Sequence, residues 1–100
     1  MIYLTVLIFV QKGKEDTFNT YESSVLPILS NYKGTLIYRI KPTDESFINT
    51  EGEKPYEIHF ISFESNKGFS GFLNDEKRKD FEHLKEDSIT STFIVKGEKL

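Results

Sequence analysis

From Ile2 to Val10 the chain is apolar on both sides of a strand at once. Ile2, Leu4, Val6, Ile8 and Val10 form one alternating set, and Tyr3, Thr5, Leu7 and Phe9 form the other. A strand with two apolar faces needs cover on each of them. After "QKGKED" the period lengthens. From about residue 14, Phe18, Tyr21, Val25, Ile28, Leu29 and Tyr32 recur at three- and four-residue steps and make one helical stripe. Glu15 and Asp16 sit in its first turn, where the helix dipole favours acids. Gly34 is the expected left-handed cap, and Pro27 is expected to bend one continuous helix near Ser23.

"TLIYRIKP" (35–42) reads as a second strand, with Thr35, Ile37, Arg39 and Lys41 opposed to Leu36, Tyr38 and Ile40. The acidic, turn-rich stretch 43–54 is a long hairpin connection. A third strand covers Tyr56–Glu64, with Tyr56, Ile58 and Phe60 on one side and His59, Ile61 and Phe63 on the other. Ser65 or Asn66 caps a helical region that carries Phe69, Phe72 and Leu73, and a further helix runs from Glu76 to about Lys85 with Phe81 and Leu84 inward. "SITSTFIVKGE" is the closing strand.

This order, strand–helix–strand–strand–helix–strand, predicts an α+β fold: a ferredoxin-like βαββαβ sandwich in a single domain over 1–100. The expected strand order is 4-1-3-2, with the first and third strands central and parallel. Both helices then cover one face of the antiparallel sheet. The other face is also apolar, and a second copy of the chain is the simplest cover for it. A homodimer is therefore expected from burial alone.

Composition narrows the partners. The 13 basic and 16 acidic residues give a net charge of −3, so no basic surface attracts nucleic acid or acidic lipid. The absence of cysteine excludes disulfides, thiolate metal sites and a cysteine nucleophile, and it agrees with a cytoplasmic setting. "MIYLTVLIFV" lacks the basic flank and cleavage site of a signal peptide and is too short to span a bilayer. His59 and His83 have no acids arranged with them at ligand spacing, so no metal is expected, and no phosphate-binding loop or nucleophile elbow occurs.

Two stretches, "YESSVLPILSNYKGTLIYR" and "ISFESNKGFSGFLNDEK", resemble the dimeric α/β-barrel superfamily, above all its short bacterial families of unknown function. The resemblance spans nearly the whole chain and implies two ferredoxin-like units paired into one barrel. It also brings in distant relatives, cofactor-independent monooxygenases of the antibiotic-biosynthesis type and muconolactone-isomerase-like enzymes, so it predicts assembly better than chemistry. Haem-degrading relatives pair a helical histidine with Trp and Asn. His83 lies in a helical segment, but the chain has no Trp and "DFEHLKED" reads as solvated. No cofactor is expected.

What the resemblance implies for a site is a cavity between sheet and helices, lined by His59, Tyr38, Tyr3 and Arg39 and taking a small apolar or aromatic molecule. Whether such a cavity is catalytic stays open. His59 itself has two readings: a polar group facing a ligand, or a core histidine satisfied by Tyr38 or a backbone carbonyl. A pocket of ~300 Å³ with His59 in its wall is the sign of the first. Tyr3 and Tyr38 read equally as packed tyrosines and Arg39 as the partner of a surface acid. Phe47 and Ile48 either close over a pocket or pack locally.

Overall fold

The computed structural model describes residues 1–100. Its elements are β1 (Ile2–Val10), α1 (Glu15–Val25), a 3₁₀ segment (Leu26–Tyr32), β2 (Gly34–Ile40), β3 (Glu57–Phe63), α2 (Asn66–Leu73), α3 (Glu76–Lys79), α4 (Glu82–Ser88) and β4 (Ile89–Gly97). The strands form one sheet in the order β2-β3-β1-β4, the expected arrangement read from the opposite edge. No helix is long and apolar enough to cross a membrane.

The helices cover one face. Ile2, Leu4, Val6 and Ile8 of β1 meet Phe18, Leu29, Ile61 and Phe63 there in a single buried cluster. Register carries the same sidedness across the sheet, since Leu4 lies opposite Ile61 and Val6 opposite both His59 and Ile94. The other set, Tyr3, Thr5 and Leu7, lies opposite Ser62, Phe60 and Ile58 on the face that no helix covers. Ser65 caps α2 by accepting a hydrogen bond from the Gly68 N–H, and Asp75 caps α3 from the Arg78 N–H.

Several expectations are corrected. β1 and β3 run antiparallel, not parallel. The helical crossover makes β1 and β2 run the same way, and the hairpin then turns β3 back against both. Pro27 does not bend one helix: the α-helix ends at Val25 and a 3₁₀ segment with Pro27 in its first turn continues the stripe. Proline lacks the N–H that would close the α-helical bond to Ser23, whereas the first turn of a new segment requires no such donor. Lys33, with φ 57°, takes the left-handed cap instead of Gly34. Gly34 is needed for space, because a Cβ there would stand 2.6 Å from the Phe63 ring. The helix expected over 76–85 divides at Asp80, where successive N–H groups bond to carbonyls three residues back and tighten the turn. In β2 the register shifts between Leu36 and Tyr38. Leu36 therefore faces the helices opposite Ile61, while Tyr38 and Ile40 lie opposite Phe60 and Ile58 on the open face.

Candidate functional site

Glu57, His59, Ile61 and Phe63 alternate along β3 and share its helix-covered face, so one strand is polar at its start and apolar at its end. Above the polar end lies Glu22, which occupies the inward stripe of α1 between Phe18 and Val25. Three ionisable groups are thereby buried together: His59 is 3% exposed, and Glu22 and Glu57 are each 4% exposed. Glu57 Oε2 lies 2.5 Å from His59 Nε2 and accepts a hydrogen bond from Arg39 Nε at 2.9 Å. Glu22 Oε2 stands 3.8 Å from the same imidazole nitrogen, beyond hydrogen-bond reach.

The two carboxyls are driven apart. Burial pushes Glu57 up, but the hydrogen bonds and charges of His59 and Arg39 outweigh it and hold the group below its ordinary value. Glu22 has no such bonds. Burial, reinforced by the charge of Glu57 and only partly opposed by His59, pushes it up from 4.5 to about 7. One carboxylate is locked as an ion and its neighbour is poised near neutrality, a division of states that fits proton-transfer sites as well as structural networks.

Glu22, Glu57 and His59 also bring three potential metal-ligand atoms within 4.8 Å of one another, so acids do converge on His59 in space although none stands at ligand spacing in the sequence. The geometry is that of a hydrogen-bonded group. Two ligands each ~2.1 Å from a tetrahedral ion stand about 3.4 Å apart, whereas Oε2 and Nε2 are at 2.5 Å and Oε2 also accepts from Arg39. A cation would have to open both bonds.

Beside this group is a cavity of about 200 Å³ between sheet and helices, with Leu4, Val6, Ile61, Val25, Leu29 and Phe72 among its walls. Its polar lining consists of Glu22, His59, Arg78, Lys85 and Thr92. Its volume falls below the ~300 Å³ set out as the sign of a ligand pocket, which suits a ligand of about one ring. His59 thus combines its two readings, since it is a hydrogen-bonded core residue and also part of a cavity wall. Its partner is Glu57, not Tyr38 or a backbone carbonyl.

The four residues expected to converge are split between the two faces. His59 is in the cavity wall, and Arg39 reaches the same face through Glu57 while keeping 39% of its side chain exposed. Tyr38 and Tyr3 lie on the open face, each stacked on Phe60 with ring centroids at 6.0 and 5.7 Å. Tyr3 borders a separate hollow there with Thr5, Phe60 and Val95. His83 is exposed, Ile48 is 95% exposed, and Phe47 lies under Lys54 at the base of the hairpin connection. The polar residues that reading the sequence missed are Glu22, Glu57 and Arg78. The first two had signals: a glutamate four residues after Phe18 and three before Val25, and another two residues before His59 on the same strand face.

No family model matches the chain, and no curated protein matches it in sequence. Solved structures do match. A protein of unknown function from Rhodopseudomonas palustris superposes with a TM-score of 0.82 at 10% identity, over 99% of this chain and 82% of its own. A dimeric protein of unknown function and ferredoxin-like fold from Bacteroides fragilis gives 0.71 at 10% identity, over 98% and 95%. The fold is ferredoxin-like. An antibiotic-biosynthesis-monooxygenase-like protein from Nitrosomonas europaea shares this ferredoxin-like fold, with a TM-score of 0.76 at 11% identity over 100% and 99% of the two chains. Identities this low establish the ferredoxin-like fold and leave the chemistry to the residues of the site.

Proposed function

We propose that the chain is a homodimeric small-molecule-binding protein that holds its ligand in the cavity between sheet and helices, with Glu22 and His59 as the polar contacts. The carrying observation is the state of Glu22. Its carboxyl is buried beside an apolar cavity and makes no hydrogen bond, although Glu57, equally buried, has two. An acid kept without a hydrogen bond in such a place is costly unless something with a donor occupies the space next to it. Pairing through the open face is supported by its exposed apolar side chains and by the dimeric state of the structurally similar Bacteroides fragilis protein.

Amide chemical shifts during titration with benzyl alcohol and with benzoate test the site. Changes centred on Leu4, Val6, His59 and Ile61, and lost in His59→Ala, are the expected result. Changes centred on Thr5, Phe60 and Val95 move the site to the open face, and no change in either set removes the proposal.

A second reading, a cofactor-independent oxygenase or isomerase working in the same cavity, is favoured by one observation. A carboxyl shifted to about 7 is matched to proton transfer at neutral pH. Such an enzyme exchanges a carbon-bound hydrogen of its ligand with solvent deuterium, and Glu22→Gln stops that exchange.

A further inference from the structure

The most isolated charge in the cavity wall is that of Arg78. It enters from α3, whose first turn is fixed by Asp75 accepting the Arg78 backbone N–H at 2.8 Å. The guanidinium carbon lies 5.1 Å from the centroid of the Phe72 ring, so the group is held by packing on an aromatic face. Its polar contacts are few. Nη1 reaches the Leu73 carbonyl at 3.4 Å, and Nε is enclosed without any hydrogen bond. No acidic side chain pairs with it, whereas Lys85, the other cation in the wall, is paired with Glu82 at 3.8 Å.

Yet the guanidinium charge is felt inside the site. Its charge and a hydrogen-bonding contact with the Tyr21 hydroxyl, which also lines the cavity, oppose the rise that burial imposes on that hydroxyl, and it is among the charges that draw Glu22 down. A guanidinium is the side chain best shaped for a planar two-oxygen anion, which it meets with parallel N–H bonds.

We infer that the ligand of this cavity is a small monocarboxylate with an apolar body, anchored through its carboxylate by Arg78. This rests on the cavity reading proposed above and adds the class of ligand to it. The enclosure of Nε leaves the terminal nitrogens as the edge that a carboxylate meets. The aliphatic and aromatic walls take the body of the molecule. Glu22 in the cavity wall, with Glu57 close behind it in the same buried group, weighs against a multiply charged anion such as a phosphate monoester, because buried acids repel each added charge.

The test compares each acid with its neutral amide of the same shape: benzoate against benzamide, and cyclohexanecarboxylate against cyclohexanecarboxamide. Calorimetric titrations use the unmodified protein and Arg78→Gln, Arg78→Lys and Lys85→Gln. On the unmodified protein each acid is expected to bind at least ~10-fold more tightly than its amide, the factor that one charge-assisted hydrogen bond provides. Arg78→Gln should equalise acid and amide, Arg78→Lys should keep part of the difference, and Lys85→Gln should leave it intact. Amides that bind as well as acids overturn the inference while leaving the cavity reading in place. Failure of both acids and amides to bind overturns the two together. A preference lost in Lys85→Gln and kept in Arg78→Gln overturns the assignment to Arg78. The acid–amide comparison needs no variant, so it decides the ligand class even if Arg78→Gln does not fold.

Discussion

Glu22 keeps its proton to about pH 7 in the folded chain, against 4.5 for an ordinary glutamate. Between those values the folded state binds more protons than the unfolded one, so stability falls as pH rises. The contribution is complete below the unfolded value and is lost as pH passes the folded one, and it is on the order of 3 kcal/mol for a fully buried group. Glu57 has the opposite sign. Held below its ordinary value, it stabilises the fold above that value and ceases to do so as pH falls through its lowered one. The two windows do not overlap, so the thermal midpoint is expected to fall between about pH 5 and about pH 8, and Glu22→Gln should flatten that slope. A slope unchanged in the variant would remove Glu22 as its cause. At this scale the sequence showed His59, because one imidazole in an apolar strand stands out. It did not show the group around it. Glu22 and Glu57 carry helical and strand periods that place each on an inward face, but their meeting depends on how α1 is rotated over β3, which no period specifies.

Between elements, close approach decides more than propensity. Gly68 lies in the first turn of α2, where alanine is the better helix former by about 1 kcal/mol. A Cβ at this position would stand 2.5 Å from the Tyr32 carbonyl oxygen. That oxygen is backbone at the end of the 3₁₀ segment and cannot rotate away. Gly68→Ala is therefore expected to destabilise by about 2 kcal/mol in spite of propensity, read as a lower urea midpoint at unchanged slope. A stabilised variant would mean that α2 slides along the 3₁₀ segment at little cost. Strands, the first helix and the Ser65 cap were legible because period and capping chemistry are local. The 3₁₀ continuation, the shift in β2 and the break at Asp80 were not, because each answers to a neighbour in space. Gly34 shows this best. Its place after a helical stripe suggests a left-handed cap, but the Phe63 ring beneath it demands the missing side chain and Lys33 takes the cap.

The molecule as a whole is a slab, 36 × 35 × 16 Å, whose short dimension holds one layer of helices on one sheet. The uncovered side of that sheet keeps Phe93 and Val95 each 62% exposed and Tyr38 59% exposed. Apolar groups gathered on one face in this way mark an interaction surface. Alternation could not say which face of β1 meets a partner, because both are apolar. Register settles which residues lie on which side: Val6 faces the helices and Leu7 the open face. Asp at each position therefore has a different expected effect. Val6→Asp puts a carboxylate into the buried cluster without a partner and should unfold the chain, by several kcal/mol. Leu7→Asp puts the same charge opposite Phe93 and Ile58, on the open face of the sheet. It should leave the far-ultraviolet circular dichroism of the folded protein intact while light scattering falls from twice the 11.6 kDa chain mass to that mass. A Leu7→Asp protein that stays dimeric would move the interface to a sheet edge or to the helices. An unmodified protein that is already monomeric at micromolar concentration would leave the open face without the second copy proposed for it.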